Sequence, residues 1–288
     1  MKTMEELGRD AISRTLRDAK ELFVLFSACT RQPYVNCDPE TFDDEIWMYE
    51  SEAAAREAAK GLLEEKIPVG VARVDQASRL LFFTSLYTMG VNAITLTAGE
   101  KKGRIQLADF VKRKEPAGEE KKAWVENPQL HLTALYYMQE LRKNAKPEIT
   151  PRLMELQEEM NADFARGRFI AALPQEGKGI PLVKMKNGDV FLPLFTDALE
   201  YQKFNREKKF RAVAVETAKL PQLLPPEAKG VVINPLGVNL ALTLHRAAPQ
   251  RQQQKPLTVE QQVEAAMREA ELAMQQSQTE SGDAPQAQ

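Results

Sequence analysis

The sequence predicts an α+β protein built from two tandem, related modules. Each is a mainly antiparallel or mixed sheet with packed helices, and a C-terminal amphipathic helix follows the second. Three observations predict this. A seven-residue phrase occurs twice, as GVNAITL from Gly90 and as GVNLALT from Gly237. The strand-like and helix-like stretches before the two copies come in the same order. Their spacing also agrees, since the separations Tyr49 to Gly90 and Phe195 to Gly237 differ by one residue. Strands joined mostly by hairpins and short loops, with helices alongside, give a sheet carrying helices on its face. A chain of 288 residues is long enough for two domains of roughly 100–150 residues each.

The first module spans residues 1–98. Thr3-Met4-Glu5-Glu6 has the form of a capping box, a hydroxyl followed three residues later by a carboxylate. Met4, Leu7, Ala11, Ile12 and Leu16 then fall on one helical face. Residues 22–27 and 34–36 are strand-like, Asp38-Pro39 marks a turn, and 46–49 is the return strand. Ser51 opens an Ala-rich helix over 52–66, and 69–74 and 80–84 are further strands. The heptad is the last strand, with Gly90 supplying a positive φ at its corner.

Residues 99–149 form a charged linker and a helix. Lys101-Lys102-Gly103-Arg104 and Lys112-Arg113-Lys114 are its basic stretches, and Glu115, Glu119 and Glu120 follow, so the segment reads as solvated. A short strand at 104–107 is the one periodic feature before Asn127-Pro128. That pair caps a helix over 129–143 whose Leu130, Ala134, Tyr137 and Leu141 share a face.

The second module spans 150–247. Thr150-Pro151 provides an N-cap and a first-position proline. Leu153, Leu156, Met160 and Phe164 supply the apolar face, and Gly167 the C-terminal stop. Residues 168–173 and 180–185 are strand-like, and Asn187-Gly188 predicts a type I′ hairpin to 190–195. Thr196-Asp197 opens a short helix over 198–207, and strands at 211–215 and 231–234 flank a Pro-rich loop. The second heptad closes the module, with Gly237 at the corner equivalent to Gly90. Residues 248–288 turn to Gln and Ala. There Val259, Val263, Ala266, Met267, Ala270 and Met274 form one stripe behind a capping box at 258–261, and a polar, disordered tail follows.

The stretch DVFLPLFTDALEYQKF, from Asp189 to Phe204, resembles the N-terminal domain of the SseB family (enhanced serine sensitivity protein B). LLPPEAKGVVINPLGVNLALT, from Leu223 to Thr243, is similar to a later segment of the same family. The resemblance covers about residues 168–244. It extends to 21–96 with EIWMYESEAAA in place of VFLPLFTDALE and FTSLYTMGVN in place of VINPLGVN. It implies an α+β domain of a cytoplasmic bacterial protein linked to serine sensitivity, and it brings no catalytic residues to transfer.

The residues themselves argue against most chemistry. A net charge of −2, with acids and bases mixed along the chain, lacks the concentrated positive face of a nucleic-acid binder. The residues from Met1 to Arg14 lack a secretory signal's apolar core. The apolar runs, such as 22–26, fall short of the ~20 residues that span a bilayer. Two cysteines, Cys29 and Cys37, suit a reducing compartment and a cytoplasmic location. Two histidines, His131 and His245, with no HxxxH, HExxH or CxxC motif, point to no metal and no cofactor. Cys29, ending an apolar strand, reads as a small buried thiol, and a turn at 30–33 would set Cys29 against Tyr34 and Cys37 against Phe26. Gly177-Lys178-Gly179 precedes an extended segment rather than a helix, so it reads as a turn and not a phosphate cradle. Asp38, Glu40, Asp43, Asp44 and Glu45 lack EF-hand spacing and read as a solvated loop.

The polar candidates that remain are Thr196 and Asp197, beside Phe195, and Asn234. Either they cap a helix and form turns, or they make a small polar binding site. Asn92 and Asn239 read as turn formers. The expected function is that of a non-catalytic interaction or regulatory protein with a protein partner, engaged through the C-terminal helix. The alternative is an enzyme or small-molecule sensor with its ligand in the cleft between the modules.

Overall fold

Two mixed sheets carry the fold, and their strands follow one order. The computed structural model describes residues 5–113, 118, 124–144, 146, 148–175 and 179–246. Thr3 and Met4, Gly177-Lys178 and the helix and tail read from residues 258–288 lie outside the described residues. In the first sheet β6 (Val69–Asp75) lies beside β2 (Glu21–Ser27), followed by β5 (Asp44–Tyr49), β7 (Ala93–Ala98) and β8 (Lys101–Gln106). In the second, β12 (Phe210–Glu216) lies beside β9 (Arg168–Pro174), followed by β11 (Val190–Phe195), β13 (Gly230–Ile233) and β14 (Leu240–Thr243). The senses match pair for pair: antiparallel, antiparallel, parallel, antiparallel. Short strands complete each sheet. β4 (Val35–Cys37) pairs with β5 as β10 (Val183–Lys184) pairs with β11. β3 (Gln32–Pro33) adds to β2, and β1 (Glu5–Glu6) to β8.

Period-two alternation explains the layers. Along β2, Leu22 and Val24 enter the large central core, while Phe23 and Leu25 face the opposite side. There they meet Ala55, Ala59 and Leu62 of α2 (Glu52–Glu64), whose first turn is capped by Ser51 Oγ accepting from the Ala54 N–H at 3.2 Å. On the second sheet, Ile170, Ala172 and Phe195 face Tyr201 and Phe204 of α7 (Ala198–Phe204). The central core joins the sheets. Ile12 and Leu16 of α1 (Arg9–Asp18), Met160 and Phe164 of α6 (Pro151–Arg166), and Leu130, Ala134, Leu135 and Met138 of α5 (Pro128–Arg142) all belong to it. Helix α5 buries residues around most of its circumference, the pattern of a helix enclosed by other elements. Among the described residues no helix is long and apolar enough to cross a membrane.

The repeated heptad does not mark equivalent positions. β7 corresponds to β13, so Gly90 precedes that pair's first member, whereas Gly237 lies one strand later, between β13 and β14. The error arises at residues 80–84, which form part of helix α3 (Arg79–Thr88) instead of a strand. Leu-Leu-Phe-Phe is an unbroken apolar run, and such a run does not distinguish strand from helix; burial of Phe83 and Leu86 with Leu80 and Leu81 exposed has helical spacing. Gly90 does take a left-handed conformation, φ 79°. Gly237 does not; the positive φ near it belongs to Asn234 and Asn239, at 47° and 51°. What the two glycines share is crowding. A Cβ on Gly90 would sit 2.6 Å from the Pro128 carbonyl oxygen, and one on Gly237 would sit 2.5 Å from Gln32 Nε2.

Other local expectations change for identifiable reasons. Glu5 and Glu6 pair in parallel with Lys101 and Lys102, so α1 begins after Gly8, and Gly8 provides no side-chain cap. Antiparallel pairing with β7 makes the basic stretch at 101–104 a strand rather than a solvated linker. The hairpin at Asn187-Gly188 has a three-residue loop: the Met185 N–H donates to the Asp189 carbonyl at 2.7 Å, and only Gly188 takes positive φ, 89°. Gly167 has an ordinary φ of −70° and is needed for space, because a Cβ there would lie 2.6 Å from the Phe169 ring. Thr150, by contrast, caps α6 as expected, accepting from the Leu153 N–H at 3.1 Å.

Gly90→Ala combines a strained φ with a backbone clash. It should cost at least about 2 kcal/mol, read as a lower urea midpoint. An unchanged midpoint would show that α5 does not rest on this turn.

Candidate functional site

The sequence candidates come together, but they are enclosed. Thr196, Asp197, Phe195 and Asn234 have no exposed surface, and neither does His131 of α5. Asp197 ends the turn from β11 into α7, where Oδ1 accepts from the N–H groups of Leu199 and Glu200 at 2.9 and 3.0 Å. That is the expected N-cap. Its other oxygen, Oδ2, accepts from the Thr196 hydroxyl at 2.7 Å and lies 3.7 Å from His131 Nδ1. Asn234, held at positive φ after β13, reads Thr196 twice. Its Oδ1 accepts from the Thr196 N–H at 3.0 Å and its Nδ2 donates to Thr196 Oγ1 at 2.8 Å. Phe195 packs edge-on against Tyr201, centroids 5.6 Å apart, on the other face. So the N-cap role holds.

Helix α5 brings in the groups that sequence spacing does not connect. Asn127 leaves its own helix uncapped and donates Nδ2 to the carbonyls of Arg168 and Thr196, at 2.7 and 3.1 Å. Around His131 Nδ1 lie the Thr88 carbonyl at 3.1 Å and Thr196 Oγ1 at 3.3 Å, whose proton is already directed to Asp197. Every neighbour of Nδ1 is therefore an acceptor, which places the proton on that nitrogen. Nε2 faces Gln32 Nε2 at 3.4 Å. Gln32 also donates to Glu200 Oε1 at 3.0 Å, and Lys203 Nζ donates to the same oxygen. Gly237 closes over this pair. Glu200 Oε2 is enclosed there with no hydrogen-bond partner among the described residues.

Burial pushes the Asp197 carboxyl up. The contacts from His131, the Thr196 hydroxyl and the Glu200 N–H outweigh it and leave the group below the ordinary carboxylate value. The junction thus joins β3, the end of α3, α5, the β11–α7 turn and the end of β13. Gln32, Thr88, Asn127 and Glu200 carry no sequence signal for this role, since their partners lie between 41 and 168 residues away, apart from the Asp197 cap and the Lys203 contact of Glu200. 

The acidic group of residues 38–45 is a second cluster, and it is not a solvated loop. Asp43 and Glu45 are buried, and Arg104 of β8 pairs with Asp38, Asp43 and Glu45. Glu45 also accepts from the Trp47 indole and the Thr95 hydroxyl, both at 2.6 Å. Asn92 Oδ1 accepts from the Asp44 N–H at 2.8 Å, so it pins β5 to the loop before β7. Among the described residues no group of three or more His, Cys, Asp and Glu could hold a metal ion. Cys29 is buried, and burial pushes its thiol up against the opposing influence of Ser27 and Arg142. Cys37 lies opposite Asp44 rather than Phe26, whose partner is Pro33, and Tyr34 donates its N–H to the Leu25 carbonyl. Between the modules, α3 and α7 border a cleft of about 450 Å³, lined by Val74, Leu81, Phe82 and Leu199 with Arg73 and Lys203.

No family model matches the chain, and no curated protein sequence is similar to it. Solved structures are similar in part, and two of them are called Tic22. Tic22 from Plasmodium falciparum is 15% identical, with 73% of this chain and 84% of that one covered at a TM-score of 0.20. The Anabaena Tic22 (protein transport) is 12% identical, with 73% and 83% covered at a TM-score of 0.20.

Thr196→Val keeps the shape and strands Asn234 Nδ2 and Asp197 Oδ2. It should cost roughly 2–4 kcal/mol in chemical denaturation, and Thr196→Ser should restore most of that; equal losses would assign the effect to packing alone.

Asp38 is held down to about 2, chiefly by the Thr41 N–H, with Arg104 adding to it. A depressed folded-state value stabilises above the ordinary carboxylate range, and the gain is lost as pH falls through about 2. The difference in urea midpoint between the native protein and Asp38→Asn should therefore shrink as pH falls from about 4 to about 2. A constant difference would contradict the ionic role.

Proposed function

We propose that this chain is a non-catalytic interaction or regulatory protein of the SseB-like kind. In this reading it is an internal duplication of one α+β module, acts in the cytoplasm, and engages a protein partner through its C-terminal segment. One observation carries the reading: the polar groups suited to chemistry are spent on each other. His131, Thr196, Asp197 and Asn234 have no exposed surface and bond to one another and to backbone. A general base must reach a proton on its substrate, and these groups face only the interior.

Further observations support the reading. The Thr-Asp pair of the SseB-like motif, Thr196 and Asp197, serves as the junction between the sheets and as a helix cap. The matched strand order supports the duplication, since both sheets repeat one sequence of senses. The intermodule cleft sets Arg73, Ser78, Ser85, Gln202 and Lys203 beside Val74, Leu81, Phe82 and Leu199, and its lining includes no histidine, cysteine or carboxylate. Mixed charge of net −2 favours a protein partner over nucleic acid.

Affinity purification with mass spectrometry on the full chain and on one lacking residues 251–288 tests the partner. The shortened chain should lose a protein that the full chain retains. A folded Cys29→Ser variant should also complement loss of the gene. Identical partners for the two chains, or a folded variant that fails to complement, would overturn the reading.

A further inference from the structure

One cation inside the first module has no acid beside it. Arg79, the first residue of α3, is 5% exposed, and its guanidinium reaches back to the end of α1. There Nη1 donates to the Arg17 carbonyl at 2.7 Å, and Nη2 donates to the carbonyls of Ala19 and Lys20. These contacts close the C-terminal end of α1, whose carbonyl dipoles favour a cation. They leave Nε enclosed with no partner among the described residues, and no carboxylate among those residues pairs with the guanidinium. A buried charge is costly unless a counter-charge meets it, and the carbonyl dipoles meet only part of that cost.

Arg79 also lines a cavity of about 320 Å³ where the end of α1, the start of α3 and α4 (Leu107–Phe110) come together. Its lining divides by chemistry. Leu16, Phe83 and Phe110 are apolar, and the two phenyl rings stand edge to face, centroids 5.0 Å apart and planes at 90°. The polar members are Arg17, Gln76, Arg79 and Lys112, which are three cations and an amide with no carboxylate. Arg17 and Lys112 are exposed and form no ion pair among the described residues. Of the acids adjacent in sequence to the lining, Asp75 and Asp109 pair with Arg73 and Arg9, and Asp18 lines no part of it. Charges of one sign against low-dielectric walls concentrate the opposite charge. The volume falls at the small end of the range for small-molecule sites.

We propose that this cavity binds a small organic anion with an aromatic body, of the arylcarboxylate class. The ring lies among Leu16, Phe83 and Phe110, where it stacks on one phenyl and meets the edge of the other. The carboxylate lies toward Arg17 and Lys112 in the field of Arg79, and it supplies the counter-charge that the lining lacks. Inorganic phosphate suits the cavity poorly, because the apolar wall replaces none of the hydrogen bonds that it would lose with its water. A neutral aromatic molecule would leave the three cations as they are. The site lies within the first module, apart from the cleft between the modules, and it is independent of the interaction reading.

The probe is 2-naphthoate, titrated against the full chain by isothermal calorimetry at low ionic strength. Its controls are 2-naphthalenemethanol, which keeps the rings without the charge, and acetate, which keeps the charge without the rings. Leu80 lines the same cavity and is 71% exposed, so Leu80→Glu brings a carboxylate to its rim. Leu80 is the second residue of α3, where an acidic side chain suits the helix dipole and the fold should hold. Arg17→Gln combined with Lys112→Gln, both at exposed positions, is the second variant should the first fail to fold. Saturable binding at least tenfold tighter than that of either control, and weakened at least tenfold by either variant, supports the proposal. Absence of saturable binding would overturn it. So would equal binding of the alcohol, which would make the cavity an apolar pocket indifferent to charge. Equal binding of acetate would make it a simple anion site and overturn the aromatic class. Binding unchanged in both variants would place the naphthoate elsewhere on the protein and overturn the assignment.

Discussion

A carboxylate with no exposed surface has to be satisfied from every side, and Asp197 is the point at which this structure does so. Leaving such a charge unpaired costs several kcal/mol, so the elements around it are constrained together. Oδ1 fixes the first turn of α7, and Oδ2 fixes the Thr196 hydroxyl and faces His131. Thr196 in turn fixes Asn234 at the end of β13, and His131 carries the constraint through α5 to Thr88 and Gln32 of the first module. One buried side chain thereby sets the relation of two sheets and the helix between them.

The close packing of Gly90 and Gly237 belongs to the same constraint. Gly90 brings Pro128, at the start of α5, within reach of the turn after α3, and so sets His131 over the Thr88 carbonyl. Gly237 lets the loop after β13 lie over Gln32 and Glu200. The two glycines stand at different places in their sheets and serve one junction from opposite sides. Their shared surroundings come from crowding around α5 and not from equivalent turns.

The sheets match in order and sense yet end differently, and the edge residues account for it. Gly103 has no side chain, so α1 and the segment before it close on β8. Leu240 has one, and Arg142 answers the carbonyls that a strand would otherwise bond. A shared architecture thus meets a strand at one edge and a guanidinium at the corresponding place of the other.

The elements with strong local signals were legible in the chain. Ser51 and Thr150 cap the helices they precede, β2 alternates, and α6 buries Leu153, Leu156, Met160 and Phe164, because capping and periodicity act within a few residues. Thr196, Asp197 and Asn234 stood out for the same reason, as a cap and a turn. Other features were decided at longer range. Residues 80–84 satisfy either period, and only packing under α5 made them helical. Glu5 and Glu6 fit a capping box, and only the neighbouring β8 made them a strand. Gln32 and Glu200 lie 168 residues apart, and nothing local selects one as the partner of the other. The sequence by itself determined the α+β class, most of the elements and the polar residues worth watching, since these depend on local backbone chemistry. The tertiary structure alone decided that those residues are sealed, that the two heptads are not equivalent, and that Glu5 and Glu6 join β8 as a strand, because burial and strand pairing depend on which distant side chains arrive.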